Sequence, residues 1–119
     1  MIYLLIVNYY STDFIIRLIH SFSSSQTIPH QIVIINNSPN DHALQELKDD
    51  RILILEAKAN LGFGKACNLG LNWIYDQDNQ AIAWIINPDT YMPETTLEKV
   101  PGLFEDYPVS ILGTLIYTP

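Results

Sequence analysis

Four short apolar runs, each followed by a polar turn, constrain the fold of this chain more than any other feature of the sequence. They lack the polar alternation of half-exposed strands, and they lie at Ile2–Val7, Gln31–Ile35, Ile52–Leu55 and Ala81–Ile86. Such runs are typical of strands that are buried on both faces. Segments with helical periodicity separate them, so strand and helix alternate along the chain. We therefore predict an α/β fold, in which a mostly parallel sheet forms the middle of three α/β/α layers.

The segments between the runs carry the signals of helices. Ser11 or Thr12 can cap a first helix, whose apolar residues follow a helical period at Phe14, Ile15, Leu18, Ile19 and Phe22. A short helix is predicted over roughly His42 to Lys48. A longer helix begins at Phe63 and is expected to bury the apolar and small residues Phe63, Ala66, Cys67, Gly70, Trp73 and Ile74.

The last part of the chain continues the same alternation. Pro93 has the position of a first-turn proline, in a helix that carries Leu97 and Val100 and that Pro101 shortens or kinks. After this helix, Ser110–Tyr117 can form a fifth strand. The length of the chain fits a single domain over residues 1–119.

The composition argues against several classes of protein. Apolar residues make up 48% of the chain and charged residues 16%, which argues against disorder. A net charge of -7 argues against a nucleic-acid partner and against docking on an anionic membrane. No apolar stretch approaches the ~20 residues of a membrane span. The single cysteine, Cys67, fits a reducing compartment, and Met1–Val7 lacks the flanks of a signal peptide. We therefore expect a cytoplasmic protein.

Polar residues concentrate in the loops that follow the predicted strands. Right-handed crossovers place all such loops at one edge of a parallel sheet, and here they are Asn8–Thr12, Asn36–Asp41, Glu56–Gly62 and Asn87–Pro93. In open α/β sheets ligands bind at this edge, outside the carboxyl ends of the strands. Most candidate chemistry is therefore expected at one edge, although turns and helix caps favour the same residue types.

The tetrapeptide Asn87-Pro88-Asp89-Thr90 closes the fourth run, which we expect to be an interior strand. Pro88 ends the strand because it removes a donor from the ladder, and Asp89 then brings a carboxylate to the edge where ligands bind. Such an acid can hold a divalent metal against a phosphorylated substrate. The same residues are good turn chemistry, so an ordinary turn is the alternative.

The segment Asn60–Gly70 opens the second long helix with two glycines, an asparagine and a lysine. Glycines let the backbone approach a ligand, and the free amides at a helix start attract phosphate. Lys65, Asn68 and Asn72 form one polar stripe on this helix. The segment matches neither the dinucleotide-binding fingerprint nor the P-loop. A phosphate cradle and an ordinary capped helix both fit these residues.

Taken together, four segments resemble family 2 glycosyltransferases of the GT-A fold, which use a nucleotide-sugar donor. In the order of the family they are Ile6-Val7-Asn8-Tyr9-Tyr10-Ser11, Ile34-Ile35-Asn36-Asn37-Ser38-Pro39, Asn60-x-Gly62-Phe63 with Ala66, Asn68 and Gly70, and Ile86-Asn87-Pro88-Asp89-Thr90. The last segment resembles the form found in rhamnosyltransferase-like members. The resemblance covers essentially the whole chain, but only the donor-binding half of a usual catalytic domain.

The resemblance implies a site for a UDP-, dTDP- or GDP-linked sugar. The residues that it places in the base pocket are Asn8, Tyr9, Asn36 and Asn37. Those that it places along the ribose and diphosphate are Asn60, Gly62, Lys65 and Asn68. Asp89 is expected to bind Mg²⁺ or Mn²⁺. The function implied is sugar transfer in the synthesis of a polysaccharide or a cell-surface glycan.

The sequence departs from the family pattern at three positions. Asn36 stands where relatives usually carry an Asp that hydrogen-bonds the pyrimidine, although an amide can still donate and accept. Asn87 replaces the first acid of an Asp-x-Asp motif and leaves Asp89 as the one clear carboxylate, which Mg²⁺ tolerates. Cys67 replaces an Arg that many relatives carry, so Lys65 is the nearby cation.

The acceptor-binding half of the family's domain, with its general base, is expected to be absent, so the chain alone should not transfer sugar. The downstream acids Glu94, Glu98, Glu105 and Asp106 have the pattern of helix-surface residues. One alternative is a non-catalytic module that forms a homo-oligomer, or binds a partner chain, through the uncharged strand Ser110–Tyr117. Another is a nucleotide-binding oxidoreductase-like domain, which the poor glycine fingerprint disfavours.

Overall fold

The computed structural model describes residues 1–22, 28–47, 49–93 and 95–114. Strands and helices alternate in these ranges as β1 (Ile2–Asn8), α1 (Thr12–Phe22), β2 (His30–Asn36), a 3-10 helix (Ala43–Glu46), β3 (Ile52–Glu56), α2 (Phe63–Gln77), β4 (Ile82–Ile85) and α3 (Thr96–Asp106). The predicted alternation is therefore confirmed. Of the helices in these ranges, none has the length and hydropathy that crossing a bilayer would need.

The four strands form one parallel sheet in the order β3-β2-β1-β4. Asn8 pairs with Asn36, and Asn36 pairs with Glu56, so three strands end level with one another. Leu5 pairs with Ile85, so β4 points to the same side. We call this side the carboxyl edge. The loops that follow the strands meet there, as the sequence predicted.

Alternate residues of the two central strands pack on opposite faces of the sheet. One face buries Leu4, Ile6, Ile32 and Ile34 against residues of α1 and α3, including Ile15, Leu18, Leu97 and Val100. The other face buries Leu5, Val7, Val33 and Ile35 against Ala66, Cys67 and Ile74 of α2. These strands are buried on both sides because helices cover both faces. The predicted three-layer α/β/α architecture is confirmed.

Helix α2 comes closest to the sheet at Gly70. A Cβ atom on Gly70 would overlap the Leu5 side chain and would lie 3.3 Å from Cδ1 of Ile35. Any larger residue would therefore push the helix away from β1 and β2. Glycine at this position sets the distance between the two layers.

Strand β4 differs from the prediction of an interior strand. It pairs with β1 on one side, and within the described ranges no strand pairs with its other side. Ile82 and Trp84 pack against the cluster under α1 and α3, whereas Ala83 and Ile85 are exposed, Ile85 to 42%. The cause is the position of α2, which covers β1 and β2 but does not extend over Ile85.

Three further predictions need correction. The helix predicted over His42–Lys48 is a 3-10 turn over Ala43–Glu46, because its amides bond to carbonyls three residues back; Lys48 lies outside the described residues. Helix α3 begins at Thr96, after a turn in which Thr96 N–H donates to the Pro93 carbonyl at 3.0 Å. Pro101 lies inside α3 and does not shorten it, since the helix continues to Asp106 and the buried Leu97 and Val100 anchor the turn before the proline.

The predicted fifth strand is wrong in its described part. Residues 110–114 form no strand, and the remainder of Ser110–Tyr117 lies outside the described residues. Before this segment the Val109 amide donates to the Tyr107 carbonyl at 2.8 Å, which turns the chain, and Ile111 is 88% exposed. An apolar composition alone therefore does not give Ser110–Thr114 a ladder partner.

Candidate functional site

A cleft of about 280 Å³ opens at the carboxyl edge, where the loops after β1, β2, β3 and β4 meet. Its lining consists of Val7, Tyr9, Ser11, Asn37, Asn60, Phe63, Asn87 and Pro88. Aromatic and aliphatic side chains make up half of this lining, and uncharged polar groups make up the rest. The cleft therefore suits a flat, neutral ligand with hydrogen-bonding groups at its rim.

Of the residues predicted for the nucleotide, three line the cleft: Tyr9, Asn37 and Asn60. Tyr9 is half-exposed, and its ring meets the ring of Tyr10 edge-on, with centroids 4.9 Å apart. Tyr10 adopts a φ of 51°, which is unfavourable for a residue with a Cβ. Its amide donates to Ser38 Oγ at 2.7 Å and its hydroxyl donates to the Pro39 carbonyl at 2.9 Å. These two bonds hold the turn that presents Tyr9 to the cleft.

Asn8 and Asn36 lie behind the cleft, in a buried network. Asn8 is fully buried, and its Nδ2 donates to Asn36 Oδ1 at 3.1 Å and to Ser38 Oγ at 3.4 Å. Its Oδ1 accepts the Ser11 amide at 2.9 Å, at the start of α1. The Asn8 side chain therefore joins β1 to the loops after β1 and β2, and it offers no free N–H group.

Asn36 is equally engaged, with 2% of its surface exposed. Its Nδ2 donates to Glu56 Oε2 at 2.9 Å and to the Asp41 carbonyl at 3.1 Å, while its Oδ1 also accepts the Ser38 amide at 3.4 Å. Both donor hydrogens and the acceptor are used inside the protein. Asn36 thus ties the end of β2 to the end of β3, which is a structural role next to the site.

The loop before α2 is held by Asn37 and Asn60. Asn37 Nδ2 donates to Asn60 Oδ1 at 3.0 Å, and Asn37 Oδ1 accepts the Leu61 amide at 2.8 Å. Asn60 Oδ1 also accepts the Gly62 amide at 3.0 Å. Gly62 is the N-cap of α2 with a φ of 80°, and no side chain caps the helix start. The first amides of α2 are therefore open to an anion.

The charged and remaining polar candidates lie outside the lining of the cleft. Lys65 and Asn68 are exposed in the first two turns of α2, and Asp89 is exposed in the loop after β4. Asn87 and Asp89 belong to a turn in which the Thr90 amide and hydroxyl both donate to the Asn87 carbonyl, at 3.2 Å and 2.7 Å. The residue types that could meet a diphosphate thus surround an uncharged cleft.

The residues at this edge could hold a metal only together with a ligand. In the part of the chain that the structure describes, no three His, Cys, Asp or Glu side chains come together as a cation site. Asp89 offers one carboxylate that no described side chain or amide occupies. One carboxylate is compatible with Mg²⁺ or Mn²⁺ when phosphate oxygens and water supply the other ligands.

Shifted pKa values lie away from the cleft. Burial between α2 and the sheet raises the pKa of the Cys67 thiol, so this side chain is a neutral part of the core. The amide and guanidinium of Arg51 lower the pKa of Asp49, at the opposite edge before β3. Neither group contributes to the candidate site.

Sequence analysis missed part of the lining. Phe63 was expected in the core, but its side chain is 55% exposed and forms a wall of the cleft. Its place directly after Gly62, before the first buried turn of α2, is a signal that could have indicated this. Pro88 was expected to end the fourth strand, and Asn87 was described as the replacement of an acid in the metal-binding motif, whereas the structure puts both in the lining.

One comparison with known proteins identifies the family. The family model described as Glycosyl transferase family 2 matches residues 3–119. No curated protein sequence matches the chain.

Solved structures of S. aureus TarS have a similar fold. The fragment 1–349 has a TM-score of 0.68 at 20% identity, its complex with UDP has 0.70 at 18%, and its complex with UDP-GlcNAc has 0.69 at 19%. Each match covers 88% of this chain and 31% or 32% of the TarS fragment. The chain therefore spans about a third of the structures it resembles, and at this identity the likeness shows the fold.

Proposed function

The chain belongs to glycosyl transferase family 2 and has the GT-A fold, and from this premise we propose that it binds a nucleotide-diphosphate sugar at the carboxyl edge. The TarS fragment with a similar fold has been solved with UDP and with UDP-GlcNAc. A UDP-linked sugar is therefore the first donor to test, with dTDP- and GDP-linked sugars as alternatives.

The observation that carries the proposal is the cleft at the meeting point of the loops. Tyr9 and Phe63 are half-exposed aromatic residues in its lining, and the exposed Asn60 and Asn87 supply amide groups. A volume of about 280 Å³ is small for a ligand pocket, so it matches a nucleoside better than a whole donor. The base would lie against the aromatic side chains, and the sugar and phosphates would extend from the cleft.

Outside the cleft, two groups are suited to the diphosphate. The uncapped start of α2 offers amides, and Lys65 in its first turn offers a positive charge. Asp89 would hold Mg²⁺ or Mn²⁺ from the other side, and a bound cation of this kind neutralises charge that develops on a departing diphosphate. The role of Asp89 is to fix the position of that charge relative to the cleft.

Calorimetric titration with UDP, dTDP and GDP, each with and without Mn²⁺, tests the proposal. We expect binding of at least one nucleotide, strengthened by Mn²⁺. Absence of binding to all three would refute the donor-site proposal.

The Asp89→Asn variant tests the metal assignment separately. It should bind nucleotide without the gain from Mn²⁺, because the carboxylate that we propose as the ligand of the cation is removed. Asp76→Asn is a matched control, since Asp76 is an exposed acid of α2 far from its start. An unchanged Mn²⁺ effect in Asp89→Asn would contradict the assignment to this residue.

We also propose that this chain by itself does not transfer sugar. Glu98, Glu105 and Asp106 are exposed residues of α3, and none of them lines the cleft; Glu94 lies outside the described residues. An inverting transfer needs a base beside the acceptor hydroxyl. Multiple-turnover transfer to any acceptor by the purified chain would overturn this proposal.

A second candidate function is association with a second copy or with a partner chain. It is favoured by the side of β4 on which no strand of the described residues pairs, and by exposed apolar residues, which include Ile85, Val109 and Ile111. Sedimentation at several concentrations tests it: a concentration-dependent dimer supports association, and a monomer throughout counts against self-association.

A further inference from the structure

The loop between β3 and α2, residues 57–62, is held at both ends. The residues that hold it are Asn36, the last residue of β2, and Asn37, which follows it. At its beginning, the Ala57 amide donates to the Asn36 carbonyl at 3.1 Å. At its end, the Leu61 amide donates to Asn37 Oδ1 at 2.8 Å. Asn37 itself is fixed to β1, because its amide donates to the Asn8 carbonyl at 2.8 Å. The beginning of the loop is thus attached to β2 through a backbone bond, and its end is attached to the centre of the sheet through the Asn37 side chain.

The backbone of this loop is unfavourable without such attachment. Lys58 has a φ of 66° and Gly62 a φ of 80°, both in the left-handed region. A lysine adopts this conformation at a cost in free energy, and it persists only when the surrounding structure holds it. The bonds to Asn36 and Asn37 are the contacts that hold it here.

An asparagine is needed at position 37 because the side chain must donate and accept at once. Its Nδ2 donates to the side-chain oxygen Oδ1 of Asn60, and its Oδ1 accepts the Leu61 amide. The Asn60 oxygen accepts a second hydrogen bond from Gly62. Only 3% of Asn37 is exposed, so water cannot replace a lost partner easily.

We propose that Asn37 is a positioning residue for the donor site. It acts through Asn60 and Leu61, and it fixes the loop so that Phe63 stands in the wall of the cleft and the amides of α2 stay uncapped. The inference rests on the proposed function, because it concerns the same cleft. It assigns to Asn37 the role of holding the site in shape, in place of the direct contact with the base that the sequence suggested.

The test combines titration with UDP and amide hydrogen exchange measured by NMR on the full chain. Asn37→Ala should bind UDP about tenfold more weakly. The Leu61 and Gly62 amides should exchange about tenfold faster, because Leu61 loses its acceptor and Asn60, which accepts the Gly62 amide, loses the donor that holds it. The amide of Ile34, inside β2, should exchange at its original rate. Asn79→Ala is the matched control, because Asn79 is an exposed asparagine in the turn after α2, before the start of β4.

Asn37→Asp separates positioning from a general loss of stability. Aspartate keeps the acceptor for Leu61 but loses the donor to Asn60, whose amide must turn over to bond to it. The Gly62 amide then loses its acceptor. We expect faster exchange at Gly62, unchanged exchange at Leu61 and weaker UDP binding.

The measurements test two statements separately. The first is that Asn37 holds the loop through Asn60 and Leu61, which we call the clamp. The second is the proposed function, that the cleft binds a nucleotide. Exchange at Leu61 and Gly62 that is unchanged in Asn37→Ala would refute the clamp, as would UDP affinity equal to that of the wild type. A wild type that binds no nucleotide refutes the proposed function, while the exchange data still decide whether Asn37 holds the loop. If the Asn37 variants do not fold, Asn60→Ala, at an exposed position, must accelerate exchange at Gly62, and unchanged exchange there refutes the clamp.

Discussion

Replacing Asn36 with aspartate restores the residue that relatives usually carry, but the surroundings of Asn36 predict that the change destabilises this protein. The new carboxylate keeps the bonds from Asn8 and Ser38 on one oxygen. Its other oxygen takes the place of Nδ2, which lies 2.9 Å from Glu56 Oε2 and 3.1 Å from the Asp41 carbonyl. Two donated hydrogen bonds are replaced by two contacts between acceptors.

The size of the effect follows from competing contributions. At an effective dielectric constant of about 20, two carboxylates about 3 Å apart repel each other by about 5 kcal/mol. Glu56 is exposed and can turn into water, which removes most of this repulsion. The buried carboxylate then remains against the Asp41 carbonyl, at a cost of about 1–3 kcal/mol for the lost hydrogen bonds. We expect a loss of about 3 kcal/mol at neutral pH. The two acceptors beside the new carboxylate raise the pKa of the aspartate in the folded protein above its value in the unfolded chain.

The raised pKa gives the loss a characteristic pH dependence. Below about pH 4 the aspartic acid is protonated in both states and can donate to Glu56 or Asp41, so the variant approaches the wild type. As the pH rises above about 4, the unfolded chain releases the proton while the folded protein still holds it, so the free energy of unfolding falls. Above the folded pKa the full loss is present.

Urea denaturation of both proteins between about pH 4 and pH 7.5 measures this difference. The double variant Asn36→Asp/Glu56→Gln is the matched control, because the glutamine can donate to the aspartate and should recover more than half of the loss at neutral pH. A difference from the wild type that stays constant with pH, or a double variant no more stable than Asn36→Asp, would refute the reasoning. Because Asn36 lies behind the cleft, we also expect no tighter UDP binding.

Three other predictions concern α2 and the loop before it. Gly70→Ala should destabilise the protein by about 1–3 kcal/mol in thermal unfolding, because the new Cβ would overlap the Leu5 side chain. Gly64 has open space around it, so Gly64→Ala should be neutral or stabilising. Equal effects of the two substitutions would contradict the packing argument. Lys58→Gly should raise the free energy of unfolding by about 1 kcal/mol, since it relieves the left-handed backbone; a decrease would show that the lysine side chain contributes more than the strain costs. Burial raises the pKa of the Cys67 thiol. The contribution of this thiol to the free energy of unfolding is therefore complete below about pH 8.5 and is lost as the pH rises toward the folded pKa. In urea denaturation, Cys67→Ala should lack this pH dependence.

The sequence by itself determined the layers of the fold and the edge that carries the site. Uninterrupted apolar runs such as Ile2–Val7 can be buried only between two layers of helix. In the structure β1 and β2 are buried on both faces, as this pattern predicts. The parallel crossovers then required the loops after the strands to meet at one edge. The polar character of those loops was visible in the sequence, so Tyr9, Asn37 and Asn60 could be predicted as neighbours in the site.

Only the tertiary structure decided which polar groups are available to a ligand. Asn8, Asn36 and Asn37 look alike in the sequence as strand-end asparagines, but the first two are satisfied inside the protein and the third borders the cleft while it holds the next loop. The same holds for apolar groups, since Phe63 is exposed in the cleft and Ile85 lies on an uncovered part of the sheet. These outcomes depend on partners that are distant in the sequence. Periodicity and turn chemistry describe a residue's own segment and contain no information about the groups packed against it.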